Sequence, residues 1–72
     1  MKAKLVAVNS SAILSVAYNE KKQTMHLVFV SGVRYVYADV PFIVVMQLLA
    51  APSIGRFFNA VIRPSYSYKR KG

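Results

Sequence analysis

Short runs within the first 40 residues carry a period of two, loosely in places, and after Asp39 the spacing becomes helical. Leu5, Val6 and Val8 open a strand-like stretch that Asn9-Ser10-Ser11 breaks with turn or bulge chemistry. A second β-rich run covers residues 12–18. There Ile13, Ser15 and Ala17 alternate loosely with Leu14, Val16 and Tyr18, and one face is clearly apolar. Asn19-Glu20-Lys21-Lys22-Gln23 reads as a polar hairpin connection. In the next run Met25, Leu27 and Phe29 share one face, and His26, Val28 and Val30 the other. Ser31-Gly32 predicts a two-residue turn, with glycine supplying a positive φ. The returning strand sets Val33, Tyr35 and Tyr37 on one side and Arg34 and Val36 on the other. These runs together predict an antiparallel meander.

The helical half begins at Pro41, a residue tolerated in a first helical turn, with Asp39 or Val40 as the expected cap. Phe42 to Ala51 reads as a helix that Pro52 stops. Steps of about 100° place Val44, Val45, Leu48 and Leu49 on one arc, the natural core face. Ile43, Met46 and Ala50 lie opposite, with Phe42 at the border. Ser53 is the expected cap of a second helix over residues 54–62, ended by Pro64. Gly55 in its first turn suggests a close packing approach. Phe57 and Phe58 cannot share one helix face, so one of them belongs to the core. Ser65 to Gly72 reads as a basic tail with a frayed end.

The expected fold is therefore α+β. It comprises a small antiparallel β-meander of three to four strands, two short C-terminal helices and a basic tail. A single domain spans residues 1–72, with the sheet in 1–40, the helical region in 41–63 and a flexible tail in 64–72.

Composition narrows the chemistry. A chain of 72 residues sits near the size where one hydrophobic core barely suffices, and its apolar fraction of 56% compensates for the absence of cysteine. Without cysteine there is no disulfide or thiolate metal site, which suits a reducing cytoplasm. Asn9-Ser10-Ser11 interrupts the N-terminal apolar run, so no signal peptide is expected. No apolar stretch reaches the roughly 20 residues of a membrane span, so no membrane insertion is expected either. Ten Lys/Arg against two acids leave a charge of +8, which favours an anionic partner.

Catalysis is not expected. Glu20 in a hairpin and Asp39 at a helix start do not make a carboxylate pair. His26 is the only histidine, with neither a cysteine nucleophile nor a second metal ligand, and reads as an ordinary strand residue. Ser53-Ile54-Gly55 is too little for a phosphate loop. The expectation is a binding protein without cofactor or metal.

Several stretches carry a family likeness. They are Asn9-Ser10-Ser11, Leu27-Val28-Phe29, Tyr35-Val36-Tyr37, Val40-Pro41, Leu48-Leu49-Ala50, Ser53-Ile54-Gly55-Arg56-Phe57-Phe58-Asn59, Ile62-Arg63 and Tyr66. In this order they resemble the KTSC family, which takes its name from a C-terminal segment of some lysyl-tRNA synthetases. The likeness runs from about Val8 to Tyr68, and its most specific parts are Tyr-x-Tyr and Ser-x-Gly-x-Phe-Phe-Asn. It implies a sheet-plus-helices domain with suspected RNA binding and no established catalysis. Size, charge and pattern also look like those of small phage-encoded inhibitors of host RNA polymerase. Family members usually carry acidic or small polar residues just after Val-Pro, where this chain has Phe42, Ile43 and Met46.

Three expectations about partners follow. In the first, the chain is a phage-type regulator that binds bacterial RNA polymerase and inhibits or redirects transcription, using Phe42, Ile43 and Met46 with Arg56, Arg63, Lys69, Arg70 and Lys71. In the second it binds RNA or another single strand through Arg34, Tyr35, Tyr37, Tyr66 and Tyr68. The competing structural role for Tyr35 and Tyr37 is packing against the helices. In the third the apolar helix face makes a homodimer.

Overall fold

The structure, a computed structural model, describes residues 4–7 and 10–71. The expected strand residue Val8 and the turn residue Asn9 lie outside them. Five strands form one antiparallel sheet in chain order: β1 (Lys4–Ala7), β2 (Ile13–Asn19), β3 (Thr24–Phe29), β4 (Arg34–Tyr37) and β5 (Tyr68–Arg70). Helix α1 (Phe42–Ala50) and a second helical segment connect β4 to β5. That segment runs through α2 (Ile54–Phe57), a π-helical turn (Phe58–Ile62) and α3 (Arg63–Ser65).

The α+β class and the meander are as the period change predicts. The loose alternation of β2 has a specific cause. Ile13 pairs with Phe29 but Ser15 pairs with Val28, so Leu14 is one residue too many on its strand. This bulge shifts the phase, and the core face becomes Ile13, Val16 and Tyr18 while Leu14 stays 55% exposed. Met25 and Leu27 pair with Tyr18 and Val16 on one side and with Tyr37 and Tyr35 on the other. One face of the three central strands is therefore continuous core.

The β3–β4 connection is longer than the two-residue turn expected. Gly32 N–H donates to Phe29 O at 2.8 Å, and Phe29 N–H donates to Val33 O at 2.9 Å. Val30, Ser31 and Gly32 thus form a three-residue loop, and Gly32 takes the left-handed position at φ 92. In the β2–β3 turn Lys22 N–H donates to Asn19 Oδ1 at 3.1 Å, and Gln23 adopts φ 54.

Asp39 does not cap α1. It sits at φ 57 and turns the chain, while extended Pro41 precedes the helix with no side-chain cap. Ser53 does cap the second segment, its Oγ accepting from Arg56 N–H at 3.3 Å. Gly55 is not a close approach, because nothing lies within 4 Å of the position its Cβ would take. Pro64 does not end the helix. A proline cannot donate to the preceding turn and crowds the carbonyl four residues back. The π turn before it widens the coil, with Arg63 N–H reaching Phe58 O, and the segment continues to Ser65.

Beyond it, residues 68–70 are a strand rather than a frayed tail. Tyr68 pairs with Tyr37, Lys69 with Val36 and Arg70 with Tyr35. Ala38 N–H donates to Ser67 O at 2.9 Å and Lys71 N–H to Arg34 O at 2.8 Å, extending the pairing at both ends. Tyr66, read as a tail residue, instead closes the helical segment, its N–H donating to Ile62 O at 3.1 Å.

The core lies between one sheet face and the helices. Ile13, Val16, Met25, Leu27, Val40, Leu48 and Ile62 are almost fully buried, joined by Tyr37, Val45 and Phe58. No helix of the described residues is long and apolar enough to cross a membrane.

Candidate binding surfaces

Helix α1 divides as its apolar circumference predicts, with one shift. Val45 and Leu48 are buried and Val44 is half-buried, but Leu49, expected inside, is exposed at 37%. Leu49 instead joins Phe42 (51%), Ile43 (58%) and Met46 (49%) on the outer side. Spacings of three and four residues align these side chains in one apolar stripe. The stripe starts beside the β2–β3 hairpin. Val40 N–H donates to Gln23 O at 2.9 Å, and the Phe42 and Tyr18 rings lie 5.7 Å apart. Lys21 and Lys22 of that hairpin are exposed.

A second surface forms where β5 completes the sheet. The Tyr35 ring meets Phe29 at 5.4 Å and Tyr68 at 5.3 Å, both edge to face, and Tyr37 meets Phe58 and Tyr68 at 5.5 and 5.3 Å. These rings floor a cavity of about 240 Å³ that Ser31, Asn59 and Arg63 also line. The π turn brings Asn59 and Arg63 to its rim, since both project from the exposed side of the helix whose other side buries Phe58 and Ile62. Burial pushes the Tyr37 phenol above its ordinary value, and the Tyr68 and Tyr35 phenols add to this. The nearby Arg63 guanidinium opposes them.

The predicted nucleic-acid residues do not form one platform. Tyr37 is buried and Tyr66 packs against the core, while Arg34 points from the opposite sheet face. Tyr35, half-buried, and Tyr68, 55% exposed, remain at the cavity. The C-terminal cations divide as well. Arg63 stands on the helix side, and Arg70 shares that side through its pairing with Tyr35. Lys69 pairs with Val36 on the other side, where Lys69, Lys71 and Lys22 line a groove of about 460 Å³. Arg56 is exposed on α2, apart from both. Sequence reasoning missed Asn59 and Ser31 as site residues. Their signal was the turn and the Phe-Phe-Asn stretch, but the cavity they line is assembled from elements distant in sequence.

The comparisons agree with this architecture. An uncharacterized protein of Stutzerimonas stutzeri is 44% identical over 68 residues, covering 93% of this chain and 96% of its own. A protein of Tsukamurella paurometabola is 42% identical over 59 residues, covering 82% of this chain and 88% of its own. The crystal structure of a KTSC domain protein from Yersinia pestis superposes with a TM-score of 0.91 at 30% identity, over 99% of this chain and 100% of that one. The KTSC domain matches residues 9–66, and with this coverage the chain belongs to the KTSC domain family.

Proposed function

We propose that this chain is a non-enzymatic, phage-type regulator that docks on an acidic surface of bacterial RNA polymerase through the outer face of α1, inhibiting or redirecting transcription. The observation that carries the docking mode is the exposed stripe Phe42, Ile43, Met46 and Leu49. A small domain that leaves four large apolar side chains on one helix face gains by covering them, at roughly 25 cal/mol per Å² removed from water. The choice of polymerase rests on the resemblance in size, charge and pattern to small phage inhibitors of that enzyme. A net charge of +8 steers the chain toward an acidic partner, and the apolar stripe then slows release.

Purified bacterial RNA polymerase passed over immobilised protein, after nuclease treatment, tests this reading. Retention by the wild type, loss with Ile43→Asp or Met46→Asp, and reduced run-off transcription with the wild type alone are the expected results. No retention at low salt, or equal retention by the variants, counts against it.

A further inference from the structure

Two cavities meet at β5, and Tyr68 is a wall of both. On the helix side the Tyr35 and Tyr68 rings stand 5.3 Å apart in an edge-to-face pair, with Asn59 and Arg63 at the rim. On the other side Lys22, Lys69 and Lys71 line a groove. We propose that a single-stranded nucleic acid crosses the sheet here, with one unpaired base in the helix-side cavity and the adjoining phosphates in the lysine groove.

The two halves call for different parts of the same ligand. At about 240 Å³ the aromatic cavity lies below the roughly 300–1,000 Å³ of pockets for drug-sized ligands, so it takes one flat ring system. Its aromatic walls stack on any base, and the Asn59 amide offers hydrogen bonds to a base edge. The Arg63 guanidinium presents a planar donor fork suited to phosphate. The lysine groove is larger and holds three point charges, matching a backbone rather than a base. Tyr68 borders both cavities, so a strand passing around the β5 edge reaches one and then the other. A duplex keeps its bases stacked inside and cannot fill the aromatic cavity. An acidic peptide satisfies the lysines but leaves the flat cavity unused.

Fluorescence anisotropy with a labelled single strand of about six nucleotides, at salt near 50 mM, tests the proposal. Single strand is expected to bind at least about tenfold more tightly than duplex, mononucleotide or poly-glutamate of equal charge. Tyr68→Ala and Arg63→Ala, both at exposed positions, should each weaken it about 5- to 100-fold, and Tyr68→Ala should lose little against a strand with one abasic position. Lys69→Ala with Lys71→Ala should make the salt dependence shallower by about 0.7 in logarithmic slope for each phosphate no longer neutralised, whatever the bases. Absence of binding by the wild type overturns the proposal, as does equal affinity for duplex or poly-glutamate. Wild-type affinity in both Tyr68→Ala and Arg63→Ala, with circular dichroism unchanged, also overturns it. Mononucleotide binding as tight as the single strand removes the strand-crossing geometry and overturns it too.

Discussion

The Tyr18 hydroxyl donates a buried hydrogen bond of 2.6 Å to the Val40 carbonyl, tying β2 to the residue that precedes the entry to α1. Tyr18 stands on the core face of the sheet, and Val40 is fully buried. The bond therefore satisfies a carbonyl that water does not reach. Replacing Tyr18 with Phe keeps the ring and removes the donor, leaving that acceptor unpaired. The expected loss is about 1–3 kcal/mol, read as a lower urea midpoint with an unchanged slope.

The same burial makes stability sensitive to alkali. Tyr18 is raised above the ordinary phenol value of 10.0 by burial and then by Glu20, and Tyr37 is raised chiefly by burial. Folding therefore favours the protonated phenols. Their contribution is complete below the unfolded value and is lost as pH climbs through the folded one. Unfolding midpoints should hold steady from neutral pH to about 9 and fall above about 10. A Tyr18→Phe variant should show a smaller alkaline fall than the wild type.

Bulge geometry separates two adjacent aliphatic residues. Ile13 is fully buried and Leu14 mostly exposed. Ile13→Ala should cost about 2–5 kcal/mol, through reduced burial and a cavity beside Phe29. Leu14→Ala should stay within about 0.5 kcal/mol. Similar costs at both sites would mean that β2 pairs without the phase shift.

Gly55 offers a stabilising change. Its Cβ position is open, and its neighbours form a helical turn. Gly55→Ala should therefore raise stability by about 0.5–1 kcal/mol, by reducing the freedom of the unfolded chain. Thermal unfolding should move upward by several degrees, since about 1 kcal/mol shifts a domain of this size by about 4–8 °C.

The meander, the Ser53 cap and the outward Ile43 and Met46 of α1 were legible because each rests on a local period or a local hydrogen bond. Met25, Leu27 and Tyr37 follow the alternation and occupy the core accordingly. Where local pattern misleads, a neighbour distant in sequence decides the outcome. Ile13 joins Val16 and Tyr18 only because β3 accepts a bulge. Pro64 stays inside a helix only because the preceding turn is a π turn. Residues 68–70 become a strand only because β4 has a free edge, and a three-residue segment among cations carries too little pattern to announce that. The aromatic cavity was illegible for the same reason, since its lining comes from β3, the loop after it, β4, the helical segment and β5.

The late return of β5 also sets an order of events in folding. Strands β1 to β4 pair with their neighbours in sequence, across short connections that close at little entropic cost. Strand β5 pairs with β4 only after the 30 residues from Ala38 to Ser67 have passed over the sheet. It should therefore be the last strand to dock and the first to exchange its amide hydrogens. A brief departure of three residues would remove the Tyr68 wall from both cavities at once and leave the β4 edge open to another chain.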